Sequence, residues 1–156
     1  MAWLSQLENS GVGVWVRESG SVWSYGAMLF FHTVGLALLA GLSVAIDLRL
    51  LGVARRLPVA PMDPFYRIMW MGFWVNAASG AALLIANATT RPLNPLFAVK
   101  MGFVTAAVIV MAVIRRRCHE ENPERAVPAS DRILAVMSMV CWLGAVAAGR
   151  LMTYLG

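Results

Sequence analysis

Between Glu18 and Asp47 the chain carries no aspartate, glutamate, lysine or arginine, and the same holds between Arg67 and Arg91. Each run exceeds the roughly 20 residues a helix needs to cross about 30 Å of hydrocarbon. A third apolar stretch, Leu96 to Ile114, is interrupted only by Lys100, and a fourth, Ile133 to Tyr154, only by Arg150. With 60% hydrophobic and 13% charged residues, the chain lies far from the charged fraction of about a quarter usual for soluble domains. The expected fold class is all-α: an integral membrane four-helix bundle with a short interfacial N-terminal segment. Residues 1–156 read as a single transmembrane domain, with an interfacial segment at about 1–20 and spans at about 22–46, 67–90, 95–114 and 132–154.

Proline marks the connections, because it removes a backbone donor and restricts the residue before it. Pro58, Pro61 and Pro64 stop the first span, Pro92 and Pro95 separate the second from the third, and Pro123 and Pro128 lie in the last loop. Ser130 or Asp131 is the candidate N-cap of helix four. No internal repeat or low-complexity tract stands out.

Arg49, Arg55, Arg56 and Arg67 flank the first loop, and Arg115, Arg116, Arg117, Arg125 and Arg132 the third. The other side has only Arg17, Arg91, Lys100 and Arg150, so the bias is nine to four. The positive-inside rule then puts both basic loops in the cytoplasm and both termini outside a bacterial inner membrane, in a multi-pass arrangement. Contact with the lipid bilayer and its anionic head groups accounts for the net charge of +5 without nucleic acid.

The first twenty residues lack the basic start and cleavage site of a signal peptide. Trp3, Leu4, Leu7, Val14 and Trp15 suggest an apolar stripe in the outer interface, which Gly11 and Gly13 should break into two short pieces. Small residues repeat every four positions in each span: Ala37, Gly41 and Ala45, then Ala78 and Ala82, Gly102 and Ala106, Gly144 and Ala148. Such rows allow close helix packing in lipid.

His32, Lys100 and Arg150 are the informative residues. At about 1.5 Å per residue, His32 lies about 15 Å deep, Lys100 about 8 Å from the outer end of helix three, and Arg150 about 27 Å up helix four from Arg132. All three then occupy the same half of the membrane and are expected to line one outward-facing pocket, with Tyr154 one turn beyond Arg150. The bland alternatives are that Lys100 and Arg150 snorkel and that His32 forms an interhelical hydrogen bond. Cys118 and His119 adjoin in the basic loop without the spacing of a structural zinc site. Cys141 reads as a packing residue, and Asp47 as the partner of Arg49 or Arg55.

Ser24-Tyr25, Phe31-His32-Thr33-Val34-Gly35-Leu36 through Gly41, Asp47-Leu48-Arg49-Leu50-Leu51-Gly52, Pro58, Gly72-Phe73, Ser79-Gly80, Asn94-Pro95, Lys100, Trp142 and Gly149-Arg150 through Tyr154 together resemble an uncharacterised bacterial family of small four-helix membrane proteins, catalogued as a domain of unknown function. The resemblance runs from Arg17 to Tyr154 and implies topology rather than activity. More distantly, His32 followed by Gly35 and Gly41 is similar to the membrane domains of CopD-type copper-resistance proteins and of small b-type cytochromes. That likeness puts His32 in the position of a ligand, although the second histidine of bis-histidine haem sites has no counterpart in the spans.

Three functions compete. A b-type haem would take His32 Nε2 as its axial ligand, use the space left by Gly35, and pair its propionates with Lys100 and Arg150. This would make the chain a haem- or quinone-linked electron-transfer subunit with a redox partner or a second copy of itself. A cuprous ion would use Met28 and His32, four residues apart, with Met101 or Met152, although two nearby cations oppose it. In the third, the chain is a non-catalytic accessory subunit or carries a small anion. No nucleotide loop, activated nucleophile or acid pair points to a stand-alone enzyme.

Overall fold

The computed structural model describes residues 2–18, 22–53, 63–120 and 127–155, and all regular structure among them is helical. Two short helices, α1 (Ala2–Glu8) and α2 (Gly11–Glu18), precede four long ones: α3 (Val22–Leu50), α4 (Asp63–Ile85), α5 (Pro95–Glu120) and α6 (Ala129–Leu155). Each long helix contains a stretch long and apolar enough to cross a membrane, Ser24–Leu50, Pro64–Ile85, Pro95–Arg117 and Ala129–Met152. The protein is a multi-pass, all-α membrane bundle.

α3 and α4 form one antiparallel hairpin, α5 and α6 a second, and α3 packs on α6 to join them. α4 and α5 stand apart, bridged where the Arg115 guanidinium lies 5.0 Å from the centroid of the Tyr66 ring. One end of the bundle carries both chain termini and the 86–94 connection, and the other the arginine-rich helix ends. At this basic end Ile46, Leu50, Tyr66, Met111, Ile114 and Ala135 form a buried cluster. Large apolar side chains such as Phe30, Trp74, Ile109 and Leu143 lie exposed, which suits a surface whose solvent is lipid.

α4 ends at Ile85, earlier than the charge-free run suggests. Beyond it the chain turns through Asn87, whose carbonyl oxygen accepts from the N–H groups of Thr90 and Arg91, into a 3-10 turn at Arg91–Leu93. α6 starts at Ala129, so Ser130 and Asp131 stand in its first turn. Asp131, nearly fully buried, ion-pairs with Arg117 of α5 at 3.0 Å and fastens the second hairpin at the basic end. Pro58, Pro61, Pro123, Arg55, Arg56 and Arg125 lie outside the described residues, as do the side chains of Cys118 and His119.

The small-residue rows behave differently from expectation. Ala37 and Gly41 face outward, and Gly41 and Gly102 have nothing within 4 Å of where a Cβ would stand. The close approach between α3 and α4 is made by Gly35 and Gly72, where a Cβ on Gly35 would sit 2.6 Å from Asn76 N and 2.8 Å from Gly72 O. On α6 the expected row does pack: Ala148 is buried and the Phe103 ring lies against Gly144, 2.8 Å from where a Cβ would stand. Four-residue spacing fixes a stripe, but not which stripe points inward.

The N-terminal segment forms a small helical hairpin folded back on the terminal end. Leu4 and Val16 are buried while Trp3 and Trp15 are exposed, and α2 packs against α3 and α4. Its tie is Glu8, which accepts the Thr89 N–H at 2.8 Å and pairs with Arg17 at 3.0 Å. The Thr89 side chain first, its backbone N–H second, and the Arg17 charge hold the Glu8 carboxyl below the usual range. Its folded value is the lower one, so its contribution is present above the ordinary glutamate range, about pH 4.3, and is lost as pH falls through the folded value. Thr89 amide exchange should therefore be protected at neutral pH relative to Glu8→Gln, and that difference should vanish in acid. Equal protection in the two proteins at neutral pH would remove Glu8 as the tie.

Candidate functional site

His32 sits on the face of α3 that meets α4, one turn before the Gly35–Gly72 approach. Its Nδ1–H donates to the Asn76 carbonyl oxygen at 3.0 Å, and Asn76 Nδ2 donates back to the His32 carbonyl oxygen at 2.7 Å. The Ser79 hydroxyl lies 3.4 Å from Nδ1 and donates to Val75 O at 2.6 Å. The imidazole lies against Gly80, where a Cβ would stand 2.9 Å from His32 Cε1. Two glycines and an asparagine on α4 thus create the berth for this ring. With Nδ1 carrying the proton, the lone pair is on Nε2, which has no hydrogen bond among the described residues.

Lys100, in the second turn of α5, lies across α6 at Gly149, where a Cβ would meet its Cδ and Cε at 3.6 Å and Nζ at 3.8 Å. The ammonium is close enough to His32 for its charge to be felt there, and Arg91 bears on Lys100 in turn. Lys100 is half-buried and forms no ion pair or hydrogen bond among the described residues. An imidazole lone pair and a cation without a counter-ion therefore share the terminal end of the bundle. Such a site suits a neutral donor or Lewis acid at the nitrogen and an oxygen acceptor at the ammonium.

The other candidate residues are placed elsewhere. Arg150 and Tyr154 are exposed on the outer side of α6, one residue and five residues beyond Gly149. The space beside Gly35 is taken by the backbone of α4. Met28 is half-buried one turn before His32, whereas Met101 is exposed, and no three His, Cys, Asp or Glu side chains gather among the described residues.

Two features were not singled out from the sequence. A groove of about 400 Å³ at the basic end is lined by Tyr66, Arg67, Trp70, Met71, Trp74 and Arg115. Its signal was the Trp70 and Trp74 pair on one helical face with Arg67 a turn before. Between α3 and α6, Trp142 Nε1–H donates to Ser43 Oγ at 3.0 Å, and the Ser43 and Ser138 hydroxyls are 3.3 Å apart. Asp47, the expected partner of Arg49 or Arg55, lies buried beside Ser138 and forms no ion pair among the described residues, which include Arg49 but not Arg55.

Residues 4–155 match the family of unknown function DUF6644, and the chain belongs to that family. No curated protein and no solved structure matches it. The more distant likeness to copper-resistance and cytochrome membrane domains therefore rests on the helix-one pattern alone.

Proposed function

Membership of this family assigns no activity, and from the geometry we propose that the protein is a ligand-binding membrane subunit of a quinone-linked redox system. The observation that carries the reading is the Nδ1–H bond from His32 to Asn76 O, which leaves Nε2 as an acceptor within reach of the Lys100 charge. A quinol hydroxyl donates to such a nitrogen, and a quinone carbonyl oxygen accepts from an ammonium. A lipophilic carrier reaches a half-buried site directly from the bilayer. In this reading the electron donor or acceptor is a partner protein, and the positive-inside bias turns the His32 end outward, with both termini.

A b-type haem fits these residues less well. Its iron would use the same Nε2, and a histidine whose other nitrogen is held by a carbonyl is a common ligand arrangement. However, α4 occupies the space beside Gly35, and Arg150 is exposed while Lys100 is half-buried against Gly149, which does not favour a shared pair of cations for two propionates. The scaffold reading also has an observation in its favour. The reciprocal His32–Asn76 bonds clamp α3 to α4 whether or not a ligand binds.

The test is binding of a short-chain quinol analogue to the purified protein in nanodiscs. His32→Gln and Lys100→Gln should each weaken binding about tenfold or more, the scale of a hydrogen bond involving a charged or strongly polar partner. The double variant should be non-additive, because both side chains act on one ligand. Unchanged affinity in both single variants would leave the clamp as the role of His32. A reduced-minus-oxidised spectrum with a haem band that His32→Gln removes would replace quinol by haem.

A further inference from the structure

Asp47 is 1% exposed, less than one turn from the end of α3, and among the described residues neither of its carboxyl oxygens has a hydrogen-bond partner. Ser43, one turn earlier on the same face, is 2% exposed, and Ser138 and Trp142 of α6 are 0% and 2% exposed. The Ser138 hydroxyl faces the carboxyl but stops short of hydrogen-bond geometry. This is a buried acid in a span, beside the Ser138 hydroxyl and one turn from the Ser43 to which Trp142 donates.

Counting donors decides which form of the acid this surrounding suits. The Trp142 N–H is committed to Ser43, and one hydroxyl hydrogen is committed between Ser43 and Ser138. A single hydroxyl hydrogen remains for the carboxyl. An ionised carboxylate is acceptor-only, with about four lone-pair sites, so one donor leaves most of its charge unmet at a buried position. The neutral acid brings its own O–H, which a serine oxygen can accept.

Among the described side chains, the charged and titratable groups at this end do not supply the missing partner. On α3 there is Arg49, on α4 Tyr66 and Arg67, on α5 Arg115, Arg116 and Arg117, and on α6 Asp131 and Arg132. Arg117 is held by Asp131, Arg115 lies over Tyr66, and among the described residues no charged group bears on Asp47. Ionisable groups within spans are rare, and proton relays and ion pathways are among the functions they mark.

We propose that Asp47, Ser43 and Ser138 form a proton-binding site between α3 and α6, at which uptake of one proton by the Asp47 carboxyl closes this end of the bundle and its release loosens it. On release the carboxyl O–H bond breaks and the proton leaves to water at the nearby end of α3, less than one helical turn, about 5 Å, away. The carboxylate then draws water in between the two helices, because the serines alone cannot meet its charge. Trp142, bonded to Ser43, reports the change.

The test is a pH titration of the full-length protein in nanodiscs at fixed sodium and potassium, read from the Trp142 indole N–H resonance, which Trp142→Phe identifies. In the wild type that resonance moves with pH, and an infrared band of a protonated carboxyl disappears in step with it. In Asp47→Asn, which has the shape and charge of the neutral acid, the infrared band is missing and the resonance stays at its low-pH position. Should Asp47→Asn not fold, Ser138→Ala serves instead: it displaces the midpoint, while a merely structural hydroxyl leaves it in place. A wild-type resonance that ignores pH, a titration that survives in Asp47→Asn, or a response to sodium at constant pH would each overturn the proposal.

Discussion

Gly35→Ala is expected to destabilise the bundle by about 3 kcal/mol, the upper part of the usual range for overpacking. The added methyl would stand 2.6 Å from Asn76 N and 2.8 Å from Gly72 O, both backbone atoms that cannot rotate away. α4 must therefore move as a rod. One turn along, that movement lengthens the His32–Asn76 bonds of 3.0 and 2.7 Å, so the imidazole loses its berth together with the helix contact. Gly41→Ala is the matched control, since nothing lies within 4 Å of the new methyl. It should be neutral or stabilising by up to about 1 kcal/mol through helix propensity. Unfolding in mixed detergent–denaturant micelles measures both variants. Equal stability of the two would mean that α3 and α4 do not cross at Gly35.

The same pair of glycines shows what the sequence could and could not convey. Charge-free length identified the four spans, because the bilayer demands a fixed thickness of apolar helix irrespective of packing. The end of the bundle at which His32 and Lys100 stand was also legible, since position along a span follows from rise per residue. Azimuth was not legible. Arg150 follows Gly149 by one residue, a rotation of about 100°, and this carries it from the Lys100 side of α6 to the outer surface. Ala37, Gly41 and Ala45 form as good a small-residue row as any, yet the inward stripe of α3 runs through His32, Gly35, Leu39, Ser43 and Asp47. In a soluble helix the apolar face would reveal that stripe. Here both faces are apolar, one for lipid and one for the neighbouring helix, and only the polar residues distinguish them. Ser43 with Asp47, and Ser138 with Trp142, are polar-tipped pairs four apart at matching depths on two spans. That spacing was the available sign that α3 and α6 face each other there.

Trp142→Ala should cost about 3 kcal/mol, near the lower end of the range for truncating a buried aromatic. The lower end applies because separated transmembrane helices still lie in lipid, so transfer from water contributes little and lost packing contributes most. Trp142 is 2% exposed and its indole N–H is bonded to Ser43 at 3.0 Å, so truncation opens a cavity and also removes the indole donor from Ser43, which keeps the Ser138 hydroxyl at 3.3 Å. Trp142→Phe separates these effects. It keeps most of the volume and removes the N–H, and should cost about 1 kcal/mol, the net scale of one hydrogen bond, because Ser43 keeps the Ser138 hydroxyl as a partner. In Ser43→Ala the Trp142→Phe change should cost measurably less, because the hydrogen bond is already gone. The cycle is read from the same micelle unfolding. Additive costs would show that the α3–α6 joint is held by shape alone and that the Trp142–Ser43 bond contributes nothing to it.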